Sequence, residues 1–284
     1  MKTLYVTDLD GTLLNDERLV TEKSASLIND AIKYGAYFSV ATARTPVTVS
    51  ELLSEIKTNM PYVVMTGSAL WNPNDNTYSE VKSLSMKKAS CITEIFTRNN
   101  VPALVYCLYN NEIHLYRLLD SDYSDKEKEF VDCKRNKKNK VIHIDENGYS
   151  EIPEKWNTLI FFLSIQPQES IDKVREELNQ ISDIDILEYK DSDFPGLVFL
   201  EIRKSGVSKE SAISYLKEKY GFDRVIVFGD NKNDIPMFKI ADLGVAVDNA
   251  IPELKDIADV IIGNNNEDSV ARMIHLYNSL VNFD

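Results

Sequence analysis

The sequence predicts an α/β fold: a Rossmann-like, doubly wound parallel sheet core with a separate α+β unit inserted into it. Three observations predict it. Short apolar runs alternate with helix-period segments toward both ends of the chain. Two of those runs stop abruptly at carboxylates, in Val6-Thr7-Asp8-Leu9-Asp10-Gly11 and in Val227-Phe228-Gly229-Asp230. The alternation then breaks between about residues 82 and 199, where a hairpin pattern replaces it. The expected organisation is therefore a core of 1–81 and 200–284 with an inserted unit of 82–199.

The first strand is the run around Leu4-Tyr5-Val6, and Gly11 lets the chain turn away after the acids. From Thr21, a helix N-cap, Leu27, Ile28, Ala31 and Ile32 share an apolar face up to about Tyr34. Ala36–Ala41 reads as a second buried strand ending at Thr42. Pro46 sits in the first turn of a helix over Thr45–Ile56, and Tyr62–Met65 is a third strand of the parallel set. In the insertion, a helix over Met86–Asn99 precedes a hairpin of Ala103–Tyr109 and Glu112–Leu118 that turns at Asn110-Asn111. Strands over Thr158–Ile165 and Asp185–Tyr189 bracket a helix over Gln168–Ile181, and Leu197–Ile202 leads back to the core. The core rhythm resumes with a helix over Ser208–Tyr220 and strands at Val225–Phe228, Leu243–Val247 and Val260–Ile262. Helices near Asn233–Lys239, Pro252–Ile257 and Glu267–Leu280 alternate with them.

Composition excludes several classes. With 45 acidic and 32 basic residues the net charge is −13, which repels nucleic acid and anionic lipid alike. A phosphorylated ligand is repelled too, so a phosphate site must carry its own local positive charge. No apolar stretch approaches the length of a membrane span, and no signal-peptide pattern is evident. Cys91, Cys107 and Cys133 form no close pair and read as reduced, buried thiols of a cytoplasmic protein. The run Lys134-Arg135-Asn136-Lys137-Lys138-Asn139-Lys140 looks like a nucleic-acid patch, but in so acidic a chain an exposed loop is the better reading. His114, His143 and His275 lack metal-ligand spacing, and Trp71 and Trp156 read as core or cleft wall.

The chemistry concentrates at the strand ends. Open α/β sheets bind ligands just beyond the carboxyl ends of their strands. Asp8 and Asp10 repel one another unless a cation or proton intervenes, and Mg²⁺ suits such an oxygen-rich site. An EF-hand loop fails, because its glycine and glutamate positions hold Leu13 and Leu19. Lys209 can hold a phosphate oxygen as a point charge, and Thr42 can supply a neutral donor. Each residue alone has a plainer reading: Asp230 and Asp234 as helix-start acids, Lys209 as a solvated lysine, Thr42 as a strand-end hydroxyl.

Together they carry a resemblance. The stretch Asp8-Leu9-Asp10-Gly11-Thr12-Leu13-Leu14 resembles the first motif of the haloacid dehalogenase superfamily. Val40-Ala41-Thr42-Ala43-Arg44, Gly206-Val207-Ser208-Lys209 and Gly229-Asp230-Asn231-Lys232-Asn233-Asp234 resemble, in order, the later motifs of its Cof-type phosphatases (subfamily IIB). The resemblance spans nearly the whole chain. It implies Asp8 as the nucleophile that forms an aspartyl-phosphate and Asp10 as general acid and then base. It implies Mg²⁺ held by the Asp8 carboxylate, the Asp10 main-chain carbonyl, Asp230, and Asn231 directly or through water. Asn233 and the Leu9 and Ala43 backbones would contact phosphate, with Arg44 also on the substrate side, and Asp234 would orient Lys209 or the metal's outer shell. The insertion would be a cap that reads the leaving group of a small phosphorylated metabolite, such as a sugar phosphate. A phosphomutase of the same superfamily and a non-catalytic sugar-phosphate sensor are the alternatives. Two departures stand out: Ala43 replaces the usual glycine of the second motif, and Gly67-Ser68-Ala69 stands where Asn-Gly-Ala is common.

Overall fold

The computed structural model describes residues 1–119, 124–132, 140–143, 158–190 and 194–281. In chain order the first elements are β1 (Thr3–Thr7), α1 (Glu22–Lys33), β2 (Tyr37–Val40), α2 (Pro46–Leu52), β3 (Tyr62–Val64), β4 (Ala69–Asn72) and β5 (Thr77–Ser79). Next come α3 (Met86–Arg98), β6 (Ala103–Tyr109), β7 (Glu112–Leu118), α4 (Asp125–Asp132), β8 (Lys140–Ile142), β9 (Leu159–Gln166), α5 (Gln168–Leu178), β10 (Ile184–Tyr189) and β11 (Val198–Lys204). The chain closes with α6 (Lys209–Tyr220), β12 (Arg224–Gly229), α7 (Ile235–Ile240), β13 (Leu243–Val247), α8 (Pro252–Lys255), β14 (Val260–Ile262) and α9 (Ser269–Val281). Two compact units result, Met1–Glu80 with Ser208–Asp284, and Val81–Val207.

The first unit is built on a five-stranded sheet of order β14-β13-β12-β1-β2, parallel throughout. Every residue of β1 is buried, as expected of a parallel strand covered on both faces. The chain starts in the middle of this sheet, steps outward to β2, and later returns on the other side of β1 as β12. The strand order therefore reverses between β1 and β12, and a ligand crevice belongs beyond the carboxyl ends of those two strands. Helices α1 and α9 pack together, tied by the Asn278 amide, which donates to the carbonyls of Ala31 and Tyr34.

The expected third parallel strand behaves differently. Only an isolated parallel bridge, Ala41 to Val63, joins β3 to the preceding strand, and β3 instead pairs antiparallel with β4, which pairs with β5. The reason is local. Met65, Thr66 and Gly67 have φ of 50°, 55° and 95°, three successive left-handed residues that fold the chain back on itself. β4 and β5 were not anticipated, being too short for two-residue alternation to register. The α2 helix also stops at Leu52, short of the expected Ile56.

The second unit is a six-stranded sheet of order β10-β11-β9-β6-β7-β8, antiparallel except between β7 and β8. The β6–β7 hairpin has the predicted register, with Asn110 and Asn111 both left-handed (φ 49° and 60°), as its two-residue turn requires. Helices α3 and α5 cover one face through Ile92, Phe96, Ile171 and Val174, packed on Val105, Phe162 and Leu200. Fully burying one such side chain contributes roughly 1.5–3 kcal/mol. The α4 helix was not foreseen. Of the basic run, residues 134–139 lie outside the described residues, as do Cys133 and Trp156.

Candidate active site

Asp8 follows the last residue of β1, and Asp230 follows β12, the two strands flanking the reversal of strand order. Asp8 continues the sheet with its N–H donating to the Phe228 carbonyl at 2.9 Å, so its backbone is as rigid as the strand. Gly11 then turns at φ 76°, and a Cβ there would stand 2.6 Å from an Asp230 carboxylate oxygen. Only glycine permits that approach. The Asn249 amide donates to the Gly11 carbonyl at 2.7 Å and pins the turn from the far side of the sheet sequence.

Lys209 arrives at the first residue of α6, and its placement is fixed by a reciprocal cap. The Ser211 N–H donates to Ser208 Oγ at 3.0 Å, and the Ser208 N–H donates to Ser211 Oγ at 3.1 Å. Gly67 packs directly on this helix start, where a Cβ would meet the Ser208 carbonyl oxygen at 2.2 Å. The Lys209 ammonium is wholly buried. Its Nζ donates to Asp8 Oδ1 and to Asp234 Oδ1, each at 2.7 Å. The other oxygen of Asp234 accepts the N–H groups of Asp230 and Asn231 at 3.0 and 3.1 Å. Asp234 is thus saturated with donors, the position of a residue that orients others.

Ligand atoms of Asp8, Asp230 and Asp234 lie within 4.8 Å of one another. Burial lifts the Asp8 carboxyl to about 7, with Lys209 opposing the rise and Asp234 adding to it. Burial and the charge of Asp234 lift Asp230 to about 6, although Thr12 Oγ1 donates to its Oδ1 at 3.1 Å. Burial works against the Lys209 ammonium, yet the two carboxylates outweigh it and hold its pKa above the usual lysine range. Three acids against one ammonium leave negative charge unbalanced in a desolvated crevice. A hard divalent cation coordinated by Asp8 and Asp230 fits that donor set, because each carboxylate offers a second oxygen besides the one bonded to Lys209 or to Thr12.

Thr42 is buried at the end of the second strand. Its Oγ1 accepts the Arg44 N–H at 3.1 Å, which leaves the hydroxyl proton available to a ligand. Asp10 is exposed and gripped by Arg44, whose Nε and Nη2 donate to Oδ2 and Oδ1 at 2.7 and 2.5 Å. Leu9 is buried, and Ala43 and Asn233 are exposed. Asn231 is exposed too, with Oδ1 capping the next turn by accepting the Lys232 N–H at 2.8 Å. Sequence reasoning assigned no role to Thr12, Asn249 or the Met65–Gly67 turn. Thr12 lies inside the quoted first motif and was within reach; the other two act across long separations.

Elsewhere the plain readings fit. The Trp71 indole is buried and donates to Asn76 Oδ1 at 2.9 Å. His114 Nδ1 and His143 Nε2 share a hydrogen bond of 2.7 Å, and burial lowers both pKa values. Burial pushes the Cys107 thiol up to about 12, whereas Cys91 is exposed, against the expectation of burial. Among the described residues, no helix is long and apolar enough to cross a membrane.

Comparison with known proteins gives one consistent result. The haloacid dehalogenase-like hydrolase family profile matches residues 5–274. A Bacillus subtilis protein named 5-amino-6-(5-phospho-D-ribitylamino)uracil phosphatase is 28% identical over 278 residues, covering 95% of this chain and 94% of that one. An Escherichia coli pyridoxal phosphate phosphatase is 24% identical over 276 residues, covering 94% and 96%. Among solved structures, a haloacid dehalogenase-like hydrolase from Bacteroides thetaiotaomicron superposes with a TM-score of 0.76 at 22% identity, over 98% of this chain and 100% of that one.

Proposed function

The chain belongs to the haloacid dehalogenase-like hydrolases and is a phosphoric monoester hydrolase, and from that premise we propose a Mg²⁺-dependent phosphatase of small phosphorylated metabolites, sugar phosphates foremost. The observation that carries the reading is the unbalanced charge at the strand ends: Asp8, Asp230 and Asp234 around the single ammonium of Lys209. A purely structural cluster gains nothing from excess buried charge, whereas a site that takes up a cation and a phosphate does. The names of the relatives, which describe a ribityl-type phosphate and pyridoxal phosphate, support a small metabolite as substrate. The unpaired Cys91 and Cys107 suit a cytoplasmic setting.

In this reading Asp8, the Asp10 main-chain carbonyl and Asp230 hold the cation, with Asn231 adding a ligand directly or through water. When bound, Mg²⁺ neutralises phosphate charge and polarises the phosphoryl group. Asp8 attacks phosphorus as the bond to the leaving oxygen breaks, and Asp10 gives that oxygen its proton. Asp10, now ionised, takes a proton from the water that displaces phosphate from Asp8. Lys209, the Thr42 hydroxyl, Asn233 and the Leu9 and Ala43 backbones receive the phosphoryl oxygens, and Asp234 holds Lys209 on line.

The test is phosphate release from a panel of phosphorylated metabolites, with Mg²⁺ and with EDTA. Metal-dependent release is expected, greatest among sugar phosphates and similar esters. Isomerised sugar phosphate without release would move the assignment to a mutase. A ligand that raises the melting temperature and is never hydrolysed would move it to a sensor.

A further inference from the structure

Arg44 was expected on the substrate side, but its side chain is engaged elsewhere. Its guanidinium forks onto both oxygens of Asp10 at 2.7 and 2.5 Å, and among the described residues no other side chain bonds that carboxylate. We propose that Arg44 is the positioning residue of Asp10, acting on turnover through that carboxylate and not through contact with the substrate; this rests on the phosphatase reading above.

Three features carry the inference. Asp10 is half exposed on an irregular turn, so an unrestrained carboxylate there would sample several rotamers. A planar fork fixes both the place and the plane of a carboxylate, which a point charge does not. The base of Arg44 is itself braced. Its N–H donates to Thr42 Oγ1 at 3.1 Å, and its carbonyl accepts the Met65 N–H at 3.0 Å. The adjoining Thr66 N–H donates to the Thr42 carbonyl at 2.9 Å. The left-handed Met65–Gly67 turn thus ties Arg44 to Thr42, and Gly67 packs this same turn on the start of α6 that carries Lys209. Backbone strain of this kind gathers where a side chain must be held in place.

The plain alternative is a surface ion pair, worth about 0–1 kcal/mol to the fold and nothing to catalysis. Both readings agree that Arg44→Ala folds, so they differ only in kinetics. Transfer of the Asp10 proton to the leaving oxygen matters for an alkyl phosphate, whose alkoxide is a poor leaving group. It matters little for p-nitrophenyl phosphate, whose phenolate departs unaided. One carboxyl oxygen must carry that proton, so Arg44 keeps its hold through the other during the first half-reaction. It regains both once Asp10 is ionised.

The experiment measures Arg44→Ala, Arg44→Lys, Asp10→Asn and the Asp10→Asn/Arg44→Ala double variant on the best alkyl phosphate and on p-nitrophenyl phosphate, with melting curves to establish folding. Arg44→Ala is expected to lower kcat/KM, which reports the first half-reaction, by about 10- to 100-fold on the alkyl phosphate. On p-nitrophenyl phosphate the loss in kcat/KM should be slight, while kcat, which includes the water step common to both esters, can fall on either, and inhibition by inorganic phosphate should hold steady. Arg44→Lys should recover part of the loss, and Arg44→Ala should cost nothing further once Asp10 is asparagine. Equal losses of kcat/KM on both substrates, weaker inhibition by phosphate, or losses that multiply in the double variant would overturn the inference and return Arg44 to the substrate. A wild-type protein that hydrolyses neither ester would overturn the phosphatase reading, and this one with it.

Discussion

Each unit of the molecule buries a charge cluster, and the two are built on opposite principles. In the inserted unit, Arg117 lies under Glu127 with Nε donating to Oε1 at 2.8 Å and Nη2 to Oε2 at 3.3 Å, while Nη1 donates to the Leu119 carbonyl at 3.0 Å. Among the described residues one cation meets one anion there, in bidentate geometry, with both side chains nearly inaccessible. In the first unit one ammonium serves several carboxylates, and burial raises the pKa of Asp8 and Asp230. The bidentate pair clamps α4 to β7. An unbalanced cluster takes up a proton, as the raised carboxyls of Asp8 and Asp230 do, or, in the proposed reading, a cation from solution. Buried charge is therefore no guide to function by itself; the imbalance is.

The sharpest way to break this comparison is to remove a charge from each cluster. Asp8→Asn removes the proposed nucleophile and is expected to lower phosphate release by 10³-fold or more, on the order seen when covalent nucleophiles are removed. Its cooperative melting transition should persist. Glu127→Leu should do the reverse. It takes the Glu127 carboxylate away from a buried guanidinium, at a cost of about 3–5 kcal/mol, and turnover per folded molecule should change little. Replacing both partners, Arg117→Met with Glu127→Leu, should recover most of that stability, because an apolar pair carries no desolvation cost. Chemical denaturation of the three proteins measures the effect. A mild loss in the single variant would mean that Arg117 reaches water, and the contrast between clusters would fail.

The next effect is smaller and depends on pH. Asp8 and Asp230 have folded-state values near 7 and 6, both above the ordinary 3.8. The folded state then binds more protons than the unfolded chain between about pH 4 and 7, so metal-free stability falls as pH rises through that window. Mg²⁺ needs the ionised carboxylates, so its stabilisation should be largest above pH 7 and fade as the pH drops through 6. At a hundredfold excess over Kd the gain is about 2.7 kcal/mol. Melting temperatures with Mg²⁺ or EDTA from pH 5 to pH 8 measure it. A gain independent of pH would place the cation away from Asp8 and Asp230.

Much of this was legible from residue patterns, and the exceptions share a cause. Strand ends at Asp8 and Asp230 show in the sequence because an apolar run terminated by a carboxylate is a local signal. The β6–β7 hairpin shows because Asn110-Asn111 is a turn signature with a physical reason for left-handed backbone. What stayed hidden depends on contacts between distant residues. Nothing near Arg44 says that its guanidinium will close on Asp10, 34 residues earlier, or that Thr12 will meet Asp230 across 218. The lone arginine beside a phosphate-type motif reads equally well as a substrate contact. The departure of β3 from the parallel sheet was hidden as well, since it follows from the conformation of Met65 and Thr66 and neither residue type advertises a left-handed turn.

That turn supplies the smallest prediction, and it probes the scaffold of the candidate site without touching a charge. Thr66 is β-branched and sits at φ 55°, ψ 30°, a region that costs an L-residue roughly 1–2 kcal/mol and that asparagine tolerates better. The Thr66 N–H, which bonds the Thr42 carbonyl, survives any such substitution. Thr66→Asn is therefore expected to raise the unfolding free energy by under about 1 kcal/mol and to leave turnover near wild type. Thr66→Pro, which lacks that N–H and cannot adopt positive φ, should free the Thr42–Arg44 turn and depress turnover along with stability. If Thr66→Asn instead stabilised the fold and slowed catalysis, the threonine itself would be contributing to the site, and the strain at Thr66 would belong to the mechanism as well as to the scaffold.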